Sequence, residues 1–182
     1  MNLLILASGN GSLAQALIDS KFNIRAIVSD NAEARVLQRA KLANLPVKVI
    51  PFEKPRANWD AKLFEYVDFM NPDLVVSVGF MRILSSKFVS HFKVINSHPS
   101  LLPNFPGAHA VQDALAAKVP STGCTVHWVD EGVDSGPIIS QIEVPIQADD
   151  DVSSLHERIK IVERELIVKV INSCSARLKR AS

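Results

Sequence analysis

Only two cysteines, Cys124 and Cys174, occur in 182 residues. They stand far apart in apolar surroundings and read as buried small residues of a cytosolic protein, not as a disulfide framework. An excess of either charge is missing too: 20 Lys and Arg face 19 Asp and Glu, a net charge of +1. That balance offers no electrostatic footing for nucleic acid or an anionic membrane. The one basic cluster, Arg177, Lys179 and Arg180, reads as a solvated tail. No apolar run approaches the length that crosses a bilayer. The first residues carry neither a basic region nor a small-residue cleavage site, so the cytoplasm is the expected location. The five histidines, His91, His98, His109, His127 and His156, match no metal-ligand spacing, and no metal is expected.

What the chain does have is alternation. Short Val, Ile and Leu runs at Leu3–Ala7, Ile24–Ser29, Val47–Ile50, Leu74–Val78 and Val94–Asn96 predict strands. Helical patterns fit Leu13–Ser20, Ala32–Ala43, Asn58–Asn71 and Ser85–His91 between and after them. Strand–helix alternation argues an α/β fold with a parallel sheet covered on both faces. Asn71-Pro72 should end the third helix, because a residue before proline leaves the α region. A helix near Ala110–Ala117, strands at Cys124–Val129 and Ile138–Val144, and a last helix from about Asp151 complete the pattern. On that last helix Leu155, Ile159, Val162, Leu166 and Val170 form an apolar face, with His156, Lys160 and Glu163 on a neighbouring one. The length fits one domain, without repeats or linkers.

Three places could carry chemistry. Ser8-Gly9-Asn10-Gly11-Ser12 joins the first strand to the first helix, where backbone N–H groups can meet an anion. Gly9 to Ala14 also fits G-x-G-x-x-A with Asp30 closing the second strand, a weak dinucleotide signal; a plain tight turn capped by Ser12 fits as well. Gly79-Phe80-Met81-Arg82-Ile83-Leu84 follows the fourth strand beside the expected switch point of the sheet. Its apolar side chains either hold a flat heterocycle or simply pack the loop, leaving Arg82 solvated. Asn96 and His98 stand two apart where a strand is expected to give way to a proline-rich loop, so their side chains point the same way. One neutral donor and one group that changes charge near neutrality suit an oxygen that becomes negative while a proton moves. Asp134, in the turn-rich loop Asp130–Pro137, is the best carboxylate partner for His98 and would favour its protonated form. Ser97 and Ser100 have no clear activating base, so no covalent intermediate is expected.

The segments ASGNGS, GFMRIL, INSHPSLLPNFPG, TGCTVHWVDEGVDSGPII and HERIKIVERELI, in this order and spacing, resemble the glycinamide ribonucleotide formyltransferase family of purine biosynthesis. The resemblance covers nearly the whole chain. It implies a Rossmann-like three-layer sandwich with a mostly parallel sheet, one domain over residues 1–182. Residues 1–100 would form a nucleotide-binding-like half, and 101–182 a folate-loop and C-terminal-helix half. It implies transfer of a formyl group from 10-formyltetrahydrofolate to the amine of glycinamide ribonucleotide, by a monomer or homodimer with no nucleic acid or membrane partner. By the same resemblance Asn96, His98 and Asp134 are the catalytic trio, with Asn96 also touching the folate. Gly11, Ser12 and Leu13 would meet the nucleotide phosphate, Leu13 standing where the family usually has Asn. Lys160 and Glu163 would face the ribonucleotide. Met81, Arg82, Ile83 and Leu84 would line the folate site, and Arg56 would approach its glutamate tail. Ser97 occupies a position often held by a larger aliphatic residue.

The resemblance extends to rivals. A formyltetrahydrofolate hydrolase typically has HHS where this chain has His98-Pro99-Ser100, and a methionyl-tRNA formyltransferase carries a further tRNA-binding domain. A dinucleotide oxidoreductase built on Gly9, Gly11 and Asp30 would leave Asn96–Pro103 unexplained, and a non-catalytic nucleotide-binding module would not need the trio.

Overall fold

The structure is a computed structural model that describes the backbone of residues 1–180 and the side chains of residues 1–176. The basic tail residues Arg177, Lys179 and Arg180 therefore lie outside the described side chains. Seven strands form one sheet: β1 (Asn2–Leu6), β2 (Asn23–Ser29), β3 (Val47–Val49), β4 (Leu74–Val78), β5 (Val94–His98), β6 (Ser121–Trp128) and β7 (Ile138–Pro145). Their order is β3-β2-β1-β4-β5-β6-β7. β1 runs parallel to both β2 and β4, β2 parallel to β3, and only β6 and β7 are seen to pair antiparallel. The helices are α1 (Ser12–Asp19), α2 (Arg35–Leu42), α3 (Arg56–Met70), α4 (Ser86–His91), α5 (Ala110–Ala116) and α6 (Val152–Arg180). The α/β class with a mostly parallel sheet is the one expected from the alternation.

Two compact units divide the chain, one from Met1 to Ile95 and one beginning at Asn96. In the first, Leu3, Leu4, Ile5 and Leu6 are wholly buried, as are all five residues of β4. A strand covered on both faces needs apolar residues without alternation, which is why these runs could be read directly. The strand order reverses between β1 and β4, so the loops after them meet at the switch point where α/β sheets bind ligands. In the second unit Leu155, Ile159, Leu166, Ile167 and Ile171 of α6 are buried, with Cys124 and Val126 of β6.

Several boundaries differ from expectation for identifiable reasons. α2 starts at Arg35, not Ala32, because Asn31 Oδ1 accepts the Glu33 N–H at 3.0 Å and the Asn31 carbonyl accepts from Ala34, making a turn of residues 31–34. α3 starts two residues early, immediately after Pro55. It ends at Asn71 as expected, but by a left-handed cap with φ 45° and ψ 60°, a conformation asparagine tolerates. Ser12 is not the cap of α1: Gly11 takes that place at φ 72°, and Ser12 is the first helical residue. α6 opens on a reciprocal pair in which the Ser154 N–H donates to Asp151 Oδ1 at 2.7 Å and the Asp151 N–H donates to Ser154 Oγ at 3.0 Å. β5 continues through Ser97 to His98, two residues beyond the expected end, because Ser97 and His98 are buried with polar partners and remain extended.

Candidate active site

In the first unit the glycine loop after β1 is held by α2. The Val36 N–H donates to the Gly9 carbonyl at 3.1 Å. One helical step on, Arg39 Nε donates to the Asn10 carbonyl at 2.8 Å, and its other nitrogens reach Asn10 Oδ1 and Gln15 Oε1. A Cβ at Gly11 would sit 2.5 Å from Val36 Cγ2, and φ there is +72°. Only glycine fits, so the N–H groups of the first turn of α1 are presented at a fixed place suited to an anion. Gly11→Ala is expected to lower unfolding stability by about 2 kcal/mol or more, from left-handed strain plus overpacking, measured by urea unfolding. Leu13 is half-buried and has no polar side-chain atom to offer.

The loop after β4 is tied to the same place. Ser8 N–H donates to the Gly79 carbonyl at 3.0 Å, and Met81 N–H to Ser8 Oγ at 2.9 Å. Met81 and Ile83 expose large apolar side chains there, while Leu84 is buried and packs the loop. Arg82 is exposed but also paired: its Nε meets Asp30 Oδ2 at 2.6 Å and its guanidinium lies 4.5 Å from the Phe52 ring centroid. Phe52 in turn packs on Trp59, which stacks on Phe80. Arg56 pairs with Asp60 and donates to the Ile83 carbonyl at 2.5 Å, clamping the loop. Arg82, expected in the lining of the folate site, and Arg56, expected near its glutamate tail, are thus both engaged by other residues of the chain. Asp30 serves Arg82 here, leaving one buried oxygen without a partner.

In the second unit Asn96, His98 and Asp134 come together. His98 Nδ1 lies 3.3 Å from Asp134 Oδ2, and Asn96 Nδ2 donates to Asp134 Oδ1 at 3.3 Å. His98 Nε2 lies 2.8 Å from the Phe105 carbonyl. A carbonyl only accepts, so Nε2 carries a proton and Nδ1 is the atom left to gain or lose one. The loop presenting that carbonyl is braced by Thr125, whose hydroxyl donates to the Ser100 carbonyl and accepts the Leu102 N–H, and by Gln141. Phe105 and Asp134 both adopt left-handed backbone, φ 54° and 52°, strain of the kind that accumulates at working sites. Gly107 N–H donates to Asp134 Oδ2 at 2.8 Å. Burial pushes the Asp134 carboxyl up, but hydrogen bonds from His127 and Gly107 and the nearby His98 and His127 rings outweigh it and hold it below the usual carboxylate range.

His127 was passed over in the sequence and belongs to this cluster. It is fully buried, its Nδ1–H donates to the Trp128 carbonyl at 2.8 Å, and its Nε2 lies 3.3 Å from Asn96 Nδ2 and 3.5 Å from Asp134 Oδ1. With Nδ1 committed, Nε2 is the ring atom that faces Asn96 and Asp134. The available signal was the alternation of β6, which turns Thr125 and His127 to one face.

Ser97 faces the other way and donates to Glu163 Oε1 at 2.8 Å. Glu163, which the helical spacing puts on the face beside the apolar one, is buried. Lys160 pairs instead with Glu157, and Val162 of the expected apolar face is only half-buried. Burial pushes Glu163 up to about 7, against the opposing pull of Ser97, Lys160 and Arg164. From about pH 4.3, where the unfolded carboxyl ionises, the native state keeps a proton the unfolded chain has lost. Stability from this group therefore falls as pH rises toward 7 and stays lost above it. Glu163→Gln should gain stability relative to the parent between pH 5 and 8, by about 3 kcal/mol in the limit, read from urea unfolding at each pH.

Among the described residues no group of three or more His, Cys, Asp or Glu is placed to hold a metal, and no helix is long and apolar enough to cross a membrane. The formyl transferase family matches residues 1–171. A Mycobacterium tuberculosis protein named phosphoribosylglycinamide formyltransferase is 45% identical over 177 residues, covering 93% of this chain and 82% of that one. The Escherichia coli protein of the same name is 39% identical, covering 94% and 86%. A crystal structure of the Streptococcus pneumoniae phosphoribosylglycinamide formyltransferase superposes with a TM-score of 0.90 at 36% identity, covering 95% of this chain and 98% of that one. With so much of the sequence matched and such relatives spanning most of both chains, the chain belongs to the formyl transferase family.

Proposed function

We propose that this chain transfers the formyl group of 10-formyltetrahydrofolate to the amine of glycinamide ribonucleotide, a step of purine biosynthesis. The observation that carries the reading is the convergence of Asn96 Nδ2 and His98 Nδ1 on one carboxylate, Asp134, at 3.3 Å each. Both distances are long for such bonds, whose ordinary value is about 2.9 Å. Catalytic hydrogen bonds are often loose before substrate binds and tighten in the complex. The amine nitrogen attacks the formyl carbon, a C–N bond forms, and the carbonyl oxygen becomes negative. Asn96 and the His98 imidazolium donate to that oxygen, and Asp134 keeps the imidazolium charged. As the bond from the formyl carbon to the folate nitrogen breaks, a proton leaves the attacking amine and one reaches the departing nitrogen. His98 Nδ1 relays it, since Nε2 stays bonded to the Phe105 carbonyl. The enzyme forms no covalent intermediate.

Gly11 and Ser12 bind the ribonucleotide phosphate through backbone N–H groups, a contact that the Leu13 side chain does not disturb. Glu163 and Lys160 meet its sugar. Met81 and Ile83, the exposed apolar side chains of the loop after β4, cover the folate ring, while Arg82 and Arg56 shape that loop through Asp30 and the Ile83 carbonyl. The test is folate product formed from 10-formyltetrahydrofolate with and without glycinamide ribonucleotide. Release that requires the ribonucleotide is expected; equal release without it would make the chain a hydrolase.

A further inference from the structure

Between the two groups that face Asp134, β5 carries a residue pointing the other way. Ser97 is buried, and so is its partner Glu163, a carboxyl with no cation bonded to it among the described residues. A buried carboxylate is costly unless something donates to it. Among the described residues the Ser97 hydroxyl is the donor it meets, at 2.8 Å. The titratable groups acting on the same carboxyl are Lys160 and Arg164 of its own helix, neither in contact with it. From β6 it is faced by the Cys124 thiol, which burial and then the Glu163 charge push up to about 12, so it stays neutral. On β5, His98 is turned to the opposite face, toward Asp134. Among the described residues no charged group of α5 or β7 acts on it.

We infer that Ser97 is a positioning residue for the ribonucleotide: by donating to Glu163 it favours the ionised form of that buried carboxyl, the form that accepts sugar hydroxyls. The inference rests on the proposed function for what Glu163 meets, but the hydroxyl–carboxyl coupling stands by itself. An ionised carboxylate accepts hydrogen bonds with both oxygens, whereas a protonated one must also donate. Binding of a polyhydroxylated substrate then follows the ionised fraction.

The test uses the whole protein and three forms of it: wild type, Ser97→Ala, and Ser97→Thr, which restores a hydroxyl. The Glu163 side-chain carboxyl is followed by 13C NMR across pH, and KM for ribonucleotide and for 10-formyltetrahydrofolate is measured from pH 6 to 9. In wild type the ribonucleotide KM should fall as the carboxyl ionises around 7. In Ser97→Ala the carboxyl transition and the KM transition should move up together, by about one pH unit. The ribonucleotide KM at pH 7 should rise about fivefold, with kcat and the folate KM little changed. Ser97→Thr should return both curves toward wild type. A purely structural serine would lower stability without moving either transition, and that result would overturn the inference. A carboxyl transition that moves while the ribonucleotide KM stays flat would overturn the role in binding and, separately from the coupling, the reading of Glu163 above.

Discussion

His98→Ala is expected to lower ribonucleotide-dependent formyl transfer by about a thousandfold or more at pH 7, with little change in folate affinity. Removing one oxyanion donor typically costs a factor of about a hundred to a thousand, and losing the acid–base group about a hundred to ten thousand. His98 supplies both roles, and its neighbours cannot replace it. Asn96 is a neutral amide, and His127 has Nδ1–H committed to the Trp128 carbonyl and is sealed from solvent. Affinity should survive because in this account the folate ring is covered by Met81 and Ile83, not by His98. Folate binding by fluorescence quenching beside steady-state turnover separates the two effects. A variant with near-normal turnover would take His98 out of the mechanism.

Asp134→Asn should lower turnover by about a hundredfold at neutral pH, less than loss of the imidazole itself. The amide keeps the size of the carboxylate but removes the charge that favours the His98 imidazolium. Gly107 N–H, His98 and Asn96 all converge on that carboxylate, so the substitution also leaves donors facing a poorer acceptor. The defect should shrink at lower pH, as solvent protons do what the carboxylate did. For stability the sign is opposite to that of Glu163. The native Asp134 carboxyl is held below its unfolded range, so its contribution is complete above about pH 4 and is lost as pH falls through the depressed native value. The acid limb of the Asp134→Asn stability curve should therefore be flatter than that of wild type.

Strands β1 and β4 were legible because they are covered on both faces and so are written almost wholly in Val, Ile and Leu. The end of β5 was not, because Asn96-Ser97-His98 carries three polar side chains whose partners lie elsewhere in the chain. Period-two alternation nevertheless placed Asn96 and His98 on one side, and the structure puts both against Asp134. The burial of Glu163 was not legible, because a charged residue beside an apolar stripe carries no local sign of what it meets. Its buried partner is 66 positions away, and nothing local announces it. Separations of 52 and 31 positions likewise hid Asp30 behind Arg82 and His127 beside Asn96.

The central claim is that one imidazolium, oriented by a backbone carbonyl and charged by one carboxylate, steadies the oxygen as the amine adds. Nitrogen-15 NMR of His98 in wild type and Asp134→Asn addresses it most directly. The account predicts that Nε2 keeps its proton at every pH, that Nδ1 alone titrates, and that the protonated fraction at pH 7 drops in the variant. A ring that titrates at Nε2, or whose protonated fraction is the same with and without the Asp134 charge, would contradict it.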